Sequence, residues 1–136
     1  MPEFEADATR LNEAFFHFAR TGKPLVTLKC AVMSLGTVGT LGMGNIGSEL
    51  FRLLAPLEMR HLAYDPYANP EVARTLGVTL VDKDTVMREA DFVCINCPLT
   101  PETRHLVSTR ELALMKPTAF LINTARGPVL DEKAAI

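Results

Sequence analysis

Three glycines in the order Gly42-x-Gly44-x-x-Gly47, with Asp65 downstream at the close of a second apolar run, are the residues whose types and spacing best suit chemistry. Each glycine has its own physical reason. Gly42 permits a tight turn, Gly44 lets the backbone approach a pyrophosphate, and Gly47 lets a helix pack close on a strand. The helix that follows would offer its unpaired N–H groups and the positive end of its dipole to that anion. Such a triplet is informative only between a strand and a helix. Here the run 38–41 reads as a short buried strand, and Ile46, Leu50, Leu53 and Leu54 recur at helical spacing. The pattern predicts a nucleotide site.

Cys94 and Cys97 form a second candidate, a CxxC. The run 91–97 is rich in β formers, and residues three apart on a strand point to opposite faces. Redox and zinc motifs need converging sulfurs, and no second cysteine or histidine pair stands nearby. The spacing predicts packed, inert thiols and no metal site.

The elements that must position these residues follow from periodicity. A helix is expected over 7–20, with Leu11, Ala14, Phe15 and Phe18 on one face, followed by a segment to residue 36 that reads as strand or linker. From Thr37 onward strands are expected at 37–41, 59–64, 78–81, 91–96 and 119–123. Helices fall between them at 45–55, 70–76, 84–90 and 108–115, the last opened by the capping box Ser108-Thr-Arg-Glu111. Asp84 and Asp131 are expected to cap helices. This alternation predicts an α/β fold: a Rossmann-type parallel sheet with helices on both faces, incomplete at its C-terminal side. Residues 1–36 would be a lead-in helix and linker, and 37–136 a partial nucleotide-binding domain. Ligands of such sheets bind outside the carboxyl ends of the strands. The glycine turn, Asp65, Cys97-Pro98 and the loop after Asn123 all fall there.

Bulk properties exclude several classes. A formal charge of −2 over 136 residues gives no electrostatic reason for a nucleic-acid or anionic-membrane partner. No apolar run reaches transmembrane length. The acidic start, Met-Pro-Glu-Phe-Glu, is the reverse of a signal peptide, and three cysteines do not suggest a disulfide framework. A cytoplasmic location is expected.

The second half narrows the chemistry. Asn96-Cys-Pro-Leu-Thr-Pro-Glu-Thr-Arg-His105, then Met115-Lys-Pro-Thr-Ala-Phe-Leu-Ile-Asn-Thr-Ala-Arg-Gly-Pro-Val-Leu-Asp131, together with Ala63-Tyr-Asp-Pro-Tyr67, resemble the NAD-binding domain of the D-isomer-specific 2-hydroxyacid dehydrogenases. The resemblance runs from Thr37 to the end. It implies NAD as cofactor, with Gly42, Met43, Gly44, Asn45, Ile46 and Gly47 around the pyrophosphate and Asp65 on the adenosine ribose. Cys97 and Pro98 would line the adenine side, Thr124 and Ala125 the nicotinamide ribose. Arg126 resembles the family's substrate arginine. A planar guanidinium can grip the carboxylate of a 2-oxo acid bidentately and polarise its oxo group.

The chain also departs from that family. The family's general acid is a histidine downstream of the arginine, oriented by a glutamate, whereas His17, His61 and His105 all precede Arg126. Most of the substrate-binding domain that normally precedes the fingerprint has no counterpart. The sequence therefore reads as the NAD-binding portion of an oxidoreductase acting on small 2-oxo and 2-hydroxy acids, inactive by itself. The alternatives are a stand-alone NAD-binding or interaction module, and an inactive remnant. The apolar stripe at Leu11, Phe15 and Phe18, with strand 119–123 left as an edge, predicts a homodimer or other self-association.

Overall fold

The computed structural model describes residues 36–136. Five strands form one sheet: β1 (Thr37–Leu41), β2 (Arg60–Tyr64), β3 (Val78–Leu80), β4 (Phe92–Ile95) and β5 (Phe120–Asn123). Their order across the sheet is β3-β2-β1-β4-β5, and every neighbouring pair is parallel. The helices between them are α1 (Asn45–Leu54), α2 (Pro70–Thr75), α3 (Lys83–Glu89) and α4 (Thr109–Leu114). The expected lead-in helix over 7–20 lies outside the described residues.

Strand alternation sorts the apolar side chains into two cores, one on each face. Val38, Ala63 and Cys94 point to the side packed by Phe51 of α1 and Ala73 of α2. Leu41, Leu62, Val93 and Ile95 point to the side packed by Val86 and Met87 of α3, with Val107 and Val129. β1 is flanked on both edges and covered on both faces, so all of its residues are buried. The two-core arrangement is the expected fold class, with helices on both faces of a parallel sheet.

Polar contacts fix the order of the layers. Asp91 accepts from the Thr37 N–H at 2.7 Å and from Lys116 Nζ at 2.8 Å, pinning the start of β1 to the segments around β4 and β5. On the opposite side of the chain's path, Glu111 of α4 is 5% exposed and accepts from Lys83 Nζ of α3 at 2.8 Å. It also closes the capping box on the Ser108 N–H at 3.1 Å. Burial alone would raise the Glu111 pKa, but the hydrogen bonds from Lys83, Ser108 and Arg110 outweigh it and hold the carboxyl at about 2.

Two expected caps are corrected. Asp82, not Asp84, caps α3: Asp82 is extended and its side chain accepts from the Thr85 N–H at 2.8 Å. Asp84 lies inside the first turn and pairs with Arg110 instead. Asp131 opens a turn rather than a helix, taking the Lys133 N–H on Oδ1 at 3.2 Å while its carbonyl takes the Ala134 N–H.

Candidate functional site

The loop between β1 and α1 has the geometry its glycines predict. Gly42 adopts φ +101°, and a Cβ there would stand 2.7 Å from the Cys97 nitrogen. It therefore turns the chain while lying against the exit of β4. A Cβ on Gly47 would meet the Gly42 carbonyl oxygen at 2.4 Å, so α1 can begin this close to β1 only with glycine there. Gly44 differs from both. A Cβ there would meet no atom within 4 Å, which leaves open space over the backbone at the start of α1. That ten-residue helix has no side-chain cap and no acidic residue in its first turn, so its leading N–H groups and dipole are free to meet an anion.

Asp65, just past β2, fastens this loop. Its Oδ2 accepts from the Met43 N–H and its Oδ1 from the Tyr67 N–H, both at 2.8 Å. Each carboxylate oxygen keeps a further lone pair for a hydroxyl donor. The Met43 side chain is buried in the core facing α1.

Two clefts open at the carboxyl ends of the strands, one on each side of Gly44. The first, about 350 Å³, is lined by Gly42, Gly44, Tyr64, Asp65 and Tyr67, with Cys97 and Pro98 opposite. The second, about 690 Å³, runs from Gly44, Asn45 and Ile46 past Cys97 and Pro98 to Thr124, Ala125 and Arg126. Gly44, Asn96, Cys97 and Pro98 border both. The structure thus gathers Gly42, Gly44, Asn45, Ile46, Asp65, Cys97, Pro98, Thr124, Ala125 and Arg126 at one sheet edge. Met43 and Gly47 line neither cleft: one serves through its N–H to Asp65, the other through packing.

Two adjoining clefts about a glycine turn, with the Asp65 carboxylate at one end and the Arg126 guanidinium at the other, have the form of a dinucleotide site. The model for the NAD-binding domain of the D-isomer specific 2-hydroxyacid dehydrogenases matches residues 19–136. The chain belongs to that family. Among the relatives of this NAD-binding domain, D-3-phosphoglycerate dehydrogenase of Synechocystis is 45% identical over 74% of this chain and 18% of its own length. The apo D-lactate dehydrogenase of Escherichia coli superposes with a TM-score of 0.70 at 41% identity, over 74% of this chain and 32% of that one. The NAD-complexed D-isomer specific 2-hydroxyacid dehydrogenase of Lactobacillus delbrueckii gives 0.70 at 38% identity, over 76% and 30%. The chain spans less than a third of the length of these relatives.

Arg126 is exposed, and its Nη1 donates to the Ala125 carbonyl at 2.8 Å. Asn123 holds the loop that carries it, accepting from the Ala125 N–H at 3.1 Å and donating to the Arg126 carbonyl at 3.0 Å. No histidine lines either cleft among the described residues. His61 is buried in β2 against Phe51, with ring centroids 4.9 Å apart. Burial lowers its pKa, against a smaller opposing effect from the Leu76 carbonyl. His105 adopts φ +53° and donates its N–H to the Pro128 carbonyl at 2.9 Å, in a separate hollow with Arg104 and Lys133.

Cys94 and Cys97 are free, buried and packed in different cores, so their sulfurs serve opposite faces of the sheet. Burial raises both thiol pKa values, and the Asp65 charge adds to the rise at Cys97. Among the described residues no group of three His, Cys, Asp or Glu side chains could hold a metal ion, and no helix is long and apolar enough to cross a membrane. Sequence reasoning assigned no part to Asn96 or Asn123. Their one signal was position, at the carboxyl ends of the two strands bordering the second cleft.

Proposed function

We propose that the two clefts hold the two halves of NAD(H), and that Arg126 presents a 2-oxo or 2-hydroxy acid to the nicotinamide. The adenosine ribose would take hydrogen bonds from Asp65, with Cys97 and Pro98 against the adenine. The pyrophosphate would cross the open backbone at Gly44 and meet the N–H groups of Asn45 and Ile46. Thr124 and Ala125 would flank the nicotinamide ribose. When bound, the cofactor supplies or accepts a hydride. Arg126, turned from its own backbone toward the cleft, would grip the acid's carboxylate and polarise the oxo group. The single observation behind this reading is the trough shared by Gly44, Asn96, Cys97 and Pro98, with Asp65 at one end and Arg126 at the other.

This chain alone would bind cofactor without turning it over. Reduction of an oxo acid needs a positioned proton donor as well as hydride, and its loss forfeits about 10²–10⁴ in rate. No histidine of the described residues borders the trough, which equally supports the reading of a nucleotide-binding module. We further propose that the chain self-associates. Phe120 is 63% and Ile122 41% exposed on an edge strand, a combination that invites a partner. A cytoplasmic setting belongs to the same reading, in keeping with two free, buried thiols.

Calorimetric titration with NADH tests the cofactor assignment, and binding abolished by Asp65→Ala is the expected result. Absent or Asp65-independent binding would remove it. An assay with NADH and glyoxylate, hydroxypyruvate or pyruvate should give no appreciable turnover. A normal dehydrogenase rate that Arg126→Ala abolishes would show that another acid has been recruited.

A further inference from the structure

Three buried side-chain polar atoms have no hydrogen-bond partner among the described residues: Thr40 Oγ1, His61 Nε2 and Asn96 Nδ2. Thr40 and His61 belong to strands in the body of the sheet, where both residues are buried. Asn96 alone borders both clefts of the trough.

Its surroundings hold it firmly. The Asn96 N–H donates to the Leu41 carbonyl at 2.9 Å, continuing the β1–β4 ladder by one residue. Its carbonyl carbon lies 2.9 Å from where a Cβ on Gly42 would stand, so the glycine turn presses directly on its backbone. The amide oxygen is taken: Thr124 Oγ1 donates to it at 3.2 Å across the gap between the exits of β4 and β5. Only the NH₂ group is left over. A buried amide donor without an acceptor costs free energy comparable to a lost hydrogen bond, and such groups are rarely left so in native proteins. An oxygen brought to the junction of the clefts would supply the acceptor that Nδ2 lacks. Among the described residues Arg126 is the one cation lining either cleft, so an anion crossing the junction relies on neutral N–H donors.

We infer that Asn96 donates through Nδ2 to an oxygen of the bound dinucleotide, on its pyrophosphate and nicotinamide-ribose side. Through Oδ1 and Thr124 it ties the loop bearing Arg126 to occupancy of the nucleotide trough. Asn96 is thus a ligand contact and, toward Arg126, a positioning residue. The inference rests on the NAD reading above and extends it. Cofactor arrival satisfies one end of the amide while the other end steadies the substrate-facing loop.

Three variants of the 136-residue chain test this. Asn96→Leu removes both amide functions at similar size, Asn96→Ala removes them with less demand on packing, and Thr124→Val cuts the tie but leaves Nδ2. Each is melted without ligand and titrated with NADH and with AMP, which carries only the adenosine half. For Asn96→Leu the expected result is a loss in NADH affinity of about tenfold or more. AMP affinity should change by less than about threefold, and the ligand-free melting temperature should hold or rise because an orphaned donor has gone.

The second readout is tryptic cleavage of the Arg126–Gly127 bond. Saturating NADH should slow it in the wild type and protect it far less in Thr124→Val, although NADH still binds. Wild-type NADH affinity in both Asn96 variants, or equal losses for NADH and AMP with a lowered melting temperature, would overturn the ligand contact. If Asn96→Leu does not fold, Asn96→Ala gives the same reading. Wild-type protection in Thr124→Val would overturn the positioning role. A wild-type chain that binds no NADH would defeat the nucleotide reading itself, an outcome distinct from selective loss in the variants.

Discussion

β1 and β5 lie in the same sheet with only β4 between them, yet they are built differently. Every residue of β1 is buried, and the strand runs into a turn whose glycines press on neighbouring backbone. β5 alternates exposed and half-buried residues, and Phe120 stacks on Phe92 at 5.5 Å with most of its surface open. The loop after β5 is tied by side-chain hydrogen bonds at Asn123 and Asn96, with Ala125 and Val129 packed on the core beyond them. The half around β1 is therefore a closely packed core. The half around β5 adds polar ties to its packing and leaves Phe120 and Ile122 open on one face.

The difference can be broken most forcefully from the β1 side. Gly47→Val places side-chain atoms against the Gly42 carbonyl, where a Cβ already stands at 2.4 Å. Backbone cannot yield as a flexible side chain can, so a loss of about 3 kcal/mol in stability and of NADH binding is expected by thermal melt and titration. Glu111→Ala comes next. It leaves Lys83 partly buried without its partner and should cost nearly as much, about 3 kcal/mol, without touching the trough.

The same carboxylate sets an acid limit. Its folded pKa of about 2 lies below its ordinary value of 4.5. Its stabilisation is therefore complete above about pH 4.5 and is lost as pH falls toward 2. His61 acts in a higher window with the same sign. A folded pKa below 6.5 means the unfolded chain takes up the proton first, so stability falls as pH drops below about 6.5. Urea melts between pH 7.5 and 5 should show this decline, and His61→Leu should flatten it.

Asp65→Ala should erase cofactor discrimination as NADH binding is lost. The carboxylate repels a 2′-phosphate, and neither Pro66 nor Tyr67 offers a cation to neutralise one. Wild type should favour NADH over NADPH, and equal affinities would refute that. The smallest effect on stability belongs to the exposed strand. Phe120→Glu should move stability by less than about 1 kcal/mol while loosening self-association seen in light scattering. Phe15→Glu and Phe18→Glu should loosen it too. A monodisperse wild-type monomer at tens of micromolar (roughly the concentrations at which exposed apolar surface drives association) would count against the whole expectation.

The regular part of the fold was legible because period-2 and period-3.6 patterns alternate without interruption from Thr37 onward. The glycine turn was legible because each of its positions answers a separate steric demand. Asp82 and Asp84 could not be told apart by type, since both are good caps; the choice fell to whichever backbone was extended. Asp131 was misread because an Asx turn and a helix start use the same side-chain bond. Asn96 was invisible as a donor because its importance lies in a partner it lacks, and no spacing rule encodes a missing acceptor.

The all-parallel ladder also bears on how the chain reaches this state. Among the described residues no two neighbouring strands are joined by a hairpin. Even the nearest pairing brings His61 beside Val78, and the central one brings Val38 beside Phe92. Each strand contact must wait for a helix-bearing loop to close, so chain entropy is lost before any ladder is gained. β1 cannot be completed until β4 arrives, and β5 cannot be seated until β4 is in place. Assembly should therefore be slow and collective, with the nearer β2–β3 and β1–β2 pairings in place before β4 joins β1, and with the Phe120 edge the last to find its place and the longest in open water.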